Sequence, residues 1–349
     1  MLGFEDFLEG QVFFLNWKPS MNDLLIIILI GLALIFDFLN GFHDSANVVA
    51  TMISSRAMTP TAALIIATAA NFIGPFVFGV AVAKTIGQDV ASPGSITIAV
   101  VLAALLSASI WNLLTWFFGI PSSSSHALIG GIVGAVVVGT GFQALKMEGM
   151  VLVAVALFLS PVLGYVLGQI VMRISMWAVR NASPKANLFF KYAQIPTAFT
   201  LALSHGTNDA QKTMGIITMG LVVLGYQDSF IVPWWVILAS ATAIGIGTAS
   251  GGWRIIHTLG GKFYRIRPIH SFASQLSSMV VILTASLFGG PVSTTHVVSS
   301  SILGVGAAQR RSQVRWGVMS DILVAWFLTV PASAGIAALL YFLIDYLIP

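Results

Sequence analysis

Apolar runs fall at about residues 22–51, 60–83, 95–119, 127–141, 150–172, 193–224, 232–251, 271–290, 297–308 and 317–347. A helix that crosses a bilayer needs roughly 20 predominantly apolar residues. Eight of the ten runs reach that length. They are continuous rather than alternating, so they do not show the weak ten-residue dyad pattern of a β-barrel. The pattern predicts an all-α polytopic membrane protein, because each span must satisfy its own backbone hydrogen bonds. The two short runs, 127–141 and 297–308, each follow a longer apolar leg and a Pro-Ser/Thr-His motif. Each reads as the return leg of a helical hairpin, 95–141 and 271–308, that enters and leaves on one side. Six spans then remain: 22–51, 60–83, 150–172, 193–224, 232–251 and 317–347.

Three spans and one hairpin precede residue 173, and three spans and one hairpin follow residue 190, in the same order. Three is odd, so the second set starts from the opposite side of the membrane. The expected organisation is an interfacial segment 1–20, a first transmembrane repeat 21–173, a basic linker 174–191 and a second, inverted repeat 192–349. The two repeats would be related by an in-plane pseudo-two-fold axis. Alternating sides also sorts the charge. One side receives Arg56, Arg173, Arg180, Lys185, Lys191, Arg254, Lys262, Arg265, Arg267, Arg310, Arg311 and Arg315, which is 12 of the 16 Lys and Arg. The other receives Lys18, Lys84 and Lys146. Positive loops favour the cytoplasm, which would place both termini outside and the protein in a cell membrane.

Composition agrees with this reading. Only 8% of the residues are charged and 57% are hydrophobic, against about 25% charged in a soluble domain. The chain has no cysteine, which excludes disulfides, thiolate chemistry and Cys-based metal sites. The basic balance is explained by topology, with no need of a nucleic-acid partner. The acidic start, MLGFEDFLEGQVFF, lacks the basic opening of a signal peptide.

Polar residues inside such runs carry the chemistry, since an ionisable group at the bilayer centre costs at least about 2.5–3.5 kcal/mol. GFHDSANVVAT (Gly41–Thr51) and SHGTNDAQKTMG (Ser204–Gly215) repeat one pattern at a shift of 165, with Gly41 on Gly206, His43 on Asn208 and Asp44 on Asp209. Asp44, Asn47, Asn208 and Asp209, with His43, are the candidates for binding a coupling ion, Na+ or H+. The adjacent glycines would permit a helix break whose freed carbonyls join the carboxylates around a hard cation. The structural alternative is a pair of buried aspartates that pin helices together. Asp37, Thr207, Gln211, Lys212, His126 and His296 are candidates for supporting positions. Lys212 could balance Asp209 or face the anion. His126, His296 and His205 read more readily as hydrogen-bonded structural histidines. Asp321, near the basic loop, is expected to pair with Arg315. Gly130, Gly131, Gly134 and Gly304 read as close-packing positions between helices.

PSSSSH (Pro121–His126) and PVSTTH (Pro291–His296) form a second repeated pair, at a shift of 170. Each proline stops one helix, and hydroxyls then open the next. A helix N-terminus offers free N–H groups and a positive dipole end to an anion. Ser122, Ser123, Ser124, Ser125, Ser293, Thr294 and Thr295 are therefore the candidate anion site, with ordinary helix capping as the alternative. Taken with the Asp/Asn motifs, the layout is that of a secondary transporter assembled from two related halves.

At these residues the chain resembles the inorganic phosphate transporter (PiT) family, and within it the compact bacterial low-affinity phosphate symporters. The resemblance rests on GFHDSANVVATMISSRAMTP, WNLLTWFFGIPSSSSH, SHGTNDAQKTMG and PVSTTHVVSSSILG in that order. It implies symport of inorganic phosphate driven by sodium or protons, with phosphate at the hairpin tips and the coupling ion at the Asp/Asn segments. It implies no enzymatic activity and no resident cofactor. Sodium-coupled relatives usually carry Asn-Asp in both copies, whereas this chain has His43-Asp44 in the first. That form resembles proton-driven members able to carry a neutral metal–phosphate complex, and imidazole titrates near pH 6.5. A proton link through His43 and Asp44 and a merely orienting His43 both remain open. So do another tetrahedral oxyanion such as sulfate or arsenate, a channel, and an intramembrane serine hydrolase. The hydrolase is disfavoured because no G-x-S-x-G elbow occurs. The sequence does not give the oligomeric state, and a homodimer stays open.

Overall fold

A computed structural model of the chain describes residues 20–91 and 95–348; residues 1–19, where the interfacial segment was expected, lie outside it. The described residues form twelve α-helices and no strand. They are α1 (Met21–Ser54), α2 (Pro60–Val77), α3 (Ala81–Lys84, continued by a π turn over Thr85–Asp89), α4 (Ile98–Phe118), α5 (Ser124–Gly139) and α6 (Met147–Ala178). There follow α7 (Ala186–Val223), α8 (Trp234–Ser250), α9 (Trp253–His257, continued by a π turn over Thr258–Lys262), α10 (Pro268–Leu287), α11 (Thr294–Arg310) and α12 (Trp316–Leu347). Six of them (α1, α2, α4, α6, α10 and α12) are long and apolar enough to cross a membrane. The pair α8–α9 is bent by 59° at its break. The protein is therefore a multi-pass membrane protein of all-α class.

Local chemistry sets the boundaries. Ser20 and Asp23 close a capping box at the start of α1. Thr59 caps α2, with Pro60 in its first turn, and Thr97 caps α4. Gly119, at φ 65°, ends α4 in the left-handed conformation. Large apolar side chains on α6 and α12, among them Phe158, Val166, Phe327 and Leu339, lie exposed where lipid would cover them. The polar helix α7, 38 residues long, is buried from Ser204 to Leu221. It owes its low hydropathy to the central position that lets it carry His205, Asn208, Asp209 and Lys212.

The helix series α1–α6 recurs as α7–α12, and the packing recurs with the partners exchanged. Helix α1 lies on α8 while α7 lies on α2; α5 lies on α12 while α11 lies on α6. Close crossings at four of the glycines obey the same exchange. A Cβ at Gly41 would stand 2.3 Å from the Ile244 carbonyl oxygen, and one at Gly206 would stand 2.3 Å from that of Asn71. At Gly134 and Gly304 the obstructing atoms are the Ala334 and Tyr165 carbonyl oxygens, at 2.2 and 2.1 Å.

These contacts correct one expectation. Helices α1 and α7 run unbroken through Gly41–Asp44 and Gly206–Asp209. The glycines there serve interhelical approach rather than a helix break, so no carbonyls are freed beside the carboxylates. Asp321 likewise makes no ion pair with Arg315 among the described residues; its side chain is exposed at the start of α12.

Candidate functional site

The two repeated polar segments meet at the centre of the molecule. Asp44 on α1 and Asp209 on α7 are fully buried, and α11 points its N-terminus at both. Thr294 Oγ1 donates to Asp44 Oδ2 at 3.2 Å and lies 3.1 Å from Asp209 Oδ2. Thr295 Oγ1 lies 3.1 Å from Asp44 Oδ1 and accepts from Asn47 Nδ2 at 3.0 Å. A helix N-terminus stabilises negative charge, so the end of α11 is held by the carboxylates themselves.

The histidines divide the remaining contacts. His43 Nδ1 lies 2.7 Å from Asp44 Oδ1, and its Nε2 reaches Thr115 Oγ1 at 3.3 Å. His205 Nε2 lies 3.0 Å from Asp209 Oδ2 and 4.0 Å from Asp44 Oδ2, and its Nδ1 meets Asn71 Oδ1 at 3.1 Å. Asn71 is fixed in turn by its bond to Thr248, 2.8 Å. Lys212 Nζ donates to Asp209 Oδ1. One ligand atom from each of Asp44, His205 and Asp209 falls within a 4.8 Å group able to hold a cation. Sequence reasoning placed His205 among structural histidines. Its signal was available: at the shift of 165 it stands opposite Asn40, another buried polar residue.

The hairpin tips complete the site. Ser123 and Ser293 cap α5 and α11 by accepting from the His126 and His296 backbone N–H groups. Ser122 donates to Thr115 at 2.7 Å, Ser124 to Asn40 Oδ1 at 2.7 Å, and Ser125 to the Val292 carbonyl of the opposite tip at 3.1 Å. The α5 tip thus touches α1 and the α11 hairpin. The α11 tip touches the carboxylates directly.

The amides of Asn47 and Asn208 hold unused oxygen. Asn47 gives its Nδ2 to Thr295, and Asn208 gives its Nδ2 to Ser286 at 2.8 Å. The Oδ1 of each is buried without a hydrogen bond. Both carboxylate oxygens of Asp37 are also buried without one. Such groups are costly to leave unpaired, and amide and carboxylate oxygens are suitable ligands for hard cations. Two other predicted positions do structural work. Thr207 bonds to the Gly74 and Leu203 carbonyls. Gln211 Oε1 accepts from the Val82 and Ala83 N–H groups and so holds α3 in place.

His126 and His296 make ring contacts of their own. Their ring centroids lie 4.4 Å apart, and His296 stacks on Trp326 at 3.7 Å. They border a cavity of about 700 Å³ between α6 and α12, walled by Leu157, Phe158, Leu323 and Phe327. Those walls are largely apolar and offer an oxyanion few donors.

The chain is similar to known proteins in sequence and in overall structure. A family model described as the phosphate transporter family (PHO4) matches residues 40–188 and 176–337. A protein of Rhizobium meliloti (strain 1021), described as a "Probable low-affinity inorganic phosphate transporter", is 46% identical over 323 residues, 92% of this chain and 97% of its own. A Bacillus subtilis (strain 168) protein of the same description is 46% identical over 329 residues, 92% of this chain and 98% of its own. A solved structure described as "The sodium-dependent phosphate transporter" superposes with a TM-score of 0.84 at 25% identity, covering 93% of this chain and all of its own.

Proposed function

Because this chain belongs to the phosphate transporter family, whose members are transporters and not enzymes, we propose that it is a secondary active symporter that imports inorganic phosphate with a coupling cation. One observation carries the coupling. Thr294 and Thr295, the hydroxyls at the α11 tip, are engaged by Asp44 and Asp209. A phosphate that docks on those hydroxyls competes with the carboxylates for the same donors and meets their charge. A cation on the carboxylates removes both obstacles, so cation and anion favour each other's binding.

Phosphate then takes the hydroxyls of Ser122–Ser125 and Ser293–Thr295 and the two helix N-termini. The coupling cation takes Asp44 and the free amide oxygen of Asn47, with Asp209 and the free amide oxygen of Asn208 as the matching set of the second half. Transport proceeds by alternating access, one set of helices rocking against the other. The exchanged packing partners support two inverted repeats, 21–173 and 192–349, joined by the cytoplasmic segment 174–191. The neighbour described as sodium-dependent supports sodium as the coupling ion, while His43 beside Asp44 supports the proton and a neutral metal–phosphate cargo.

Purified protein in liposomes, with sodium and pH gradients imposed separately, tests this reading. Radiolabelled phosphate should accumulate under at least one gradient and collapse with it. Absence of accumulation under both would reject symport. Sulfate that outcompetes phosphate would transfer the reading to another oxyanion.

A further inference from the structure

At the shift of 165 that relates the two polar motifs, Lys212 stands where the first copy has Asn47. The two residues meet their aspartates differently. Asn47 sends its amide nitrogen to Thr295 and leaves its oxygen free. Lys212 sends its ammonium to Asp209, one helical turn before it. Lys212 is the one wholly buried lysine or arginine among the described residues. An ammonium buried at this depth persists only when paired. Its surroundings supply the pairing, with Asp209 in contact and the Asp37 carboxylate nearby. The first half-site thus has oxygen donors and no built-in cation other than what histidine can supply. The second has a permanent cation attached to the chain.

We propose that Lys212 is a tethered cation occupying the coupling-ion position of the second half-site, so that Asp209 binds no exchangeable sodium and the variable cation belongs to the Asp44 side. The consequence is one exchangeable cation position where a two-fold arrangement of Asp and Asn would provide two. Lys212 is then a specificity-determining residue. It sets which ions the transporter uses by filling a place that an ion would otherwise fill. This rests on the symport reading above, but its direct test does not need transport.

Thermal unfolding of the detergent-purified protein in sodium chloride, compared with N-methylglucamine chloride at equal ionic strength, reads ion binding. Wild-type protein and Lys212→Arg should show no sodium-specific rise assigned to Asp209. Lys212→Asn, which copies Asn47 into the second half, should gain a sodium-specific rise of a few degrees, and adding Asp209→Asn should remove that rise. Lys212→Asn should also make phosphate uptake into liposomes rise several-fold on adding sodium. A Lys212→Asn protein with equal melting in both salts overturns the proposal, as does a sodium response that survives in Asp209→Asn/Lys212→Asn.

Should Lys212→Asn fail to fold, the double variant decides. If Lys212 serves as the cation of Asp209, removing both charges restores folding, and a double variant as unstable as the single overturns the proposal. Wild-type protein that takes up no phosphate under any gradient would reject the transport reading while leaving the melting comparison valid.

Discussion

The two half-sites share a backbone and differ in charge. Gly41 and Gly206 make equivalent crossings, where an added Cβ would stand 2.3 Å from a carbonyl oxygen of the facing helix. Three residues on, Asp44 and Asp209 reach the same hydroxyl of Thr294. Around them the copies part. Asp44 has His43 at its side and the unspent oxygen of Asn47 one turn away. Asp209 has Lys212 and His205. The close-packed helix crossings tolerate little change because any added carbon meets backbone. The polar residues on the same helices are free to diverge, and ion specificity lies there.

The strongest way to break the comparison is to neutralise each aspartate in turn. Asp44→Asn and Asp209→Asn should both reduce coupled phosphate uptake to background while the protein still inserts. They should differ in stability. Asp209→Asn strands the Lys212 ammonium in the interior, and breaking a buried pair costs about 3–5 kcal/mol. Asp44→Asn strands no permanent charge. Melting should therefore fall clearly further for Asp209→Asn. Equal melting of the two variants would contradict the assigned asymmetry, and normal uptake in either would remove that aspartate from the site.

A smaller effect separates the hairpin tips. Thr294 touches both carboxylates, whereas Ser124 donates to the neutral Asn40. Hydrogen bonds to charged groups contribute about 1.5–3 kcal/mol, against about 0.5–1.5 for neutral pairs. Thr294→Val should raise the half-saturating phosphate concentration by roughly ten-fold or more and weaken its dependence on the coupling gradient. Ser124→Ala should raise that concentration by less and leave the gradient dependence in place. The ratio of uptake with and without the gradient, measured for both variants, checks the distinction. A tip-symmetric response would show that the α11 hydroxyls do not link cation to anion.

Much of this was legible in the sequence because polar groups in lipid-length runs are expensive and so conspicuous. The duplicated aspartates, the hydroxyl-rich tips and the all-α class follow from that cost alone. His205 escaped because its counterpart is Asn40, and two different polar residues do not announce a repeat. The unbroken course of α1 and α7 escaped for another reason. A glycine beside an aspartate reads equally as a break or as a close crossing, and only the position of the Ile244 and Asn71 carbonyls distinguishes them. The role of Lys212 was left between two options because the sequence does not say whether its ammonium turns toward Asp209 or toward the anion.

The smallest effect tests how far the backbone symmetry extends. Gly119 and Gly289 end the equivalent helices α4 and α10 with φ of 65° and 73°. The left-handed conformation costs a residue with a Cβ about 1–2 kcal/mol. Alanine at either site should therefore lower the melting temperature by a few degrees. The surroundings make the two unequal. A Cβ at Gly119 finds its nearest neighbours, on Arg254, at 3.6 Å, an ordinary contact. One at Gly289 meets the Thr85 hydroxyl at 3.1 Å and the Ala81 carbonyl at 3.3 Å. Gly289→Ala should therefore melt lower than Gly119→Ala, by the cost of shifting that hydroxyl. Both variants should still transport phosphate, since neither glycine touches the carboxylates. The reverse order of melting would mean that the Thr85 hydroxyl and the Ala81 carbonyl do not set the difference between the two helix ends.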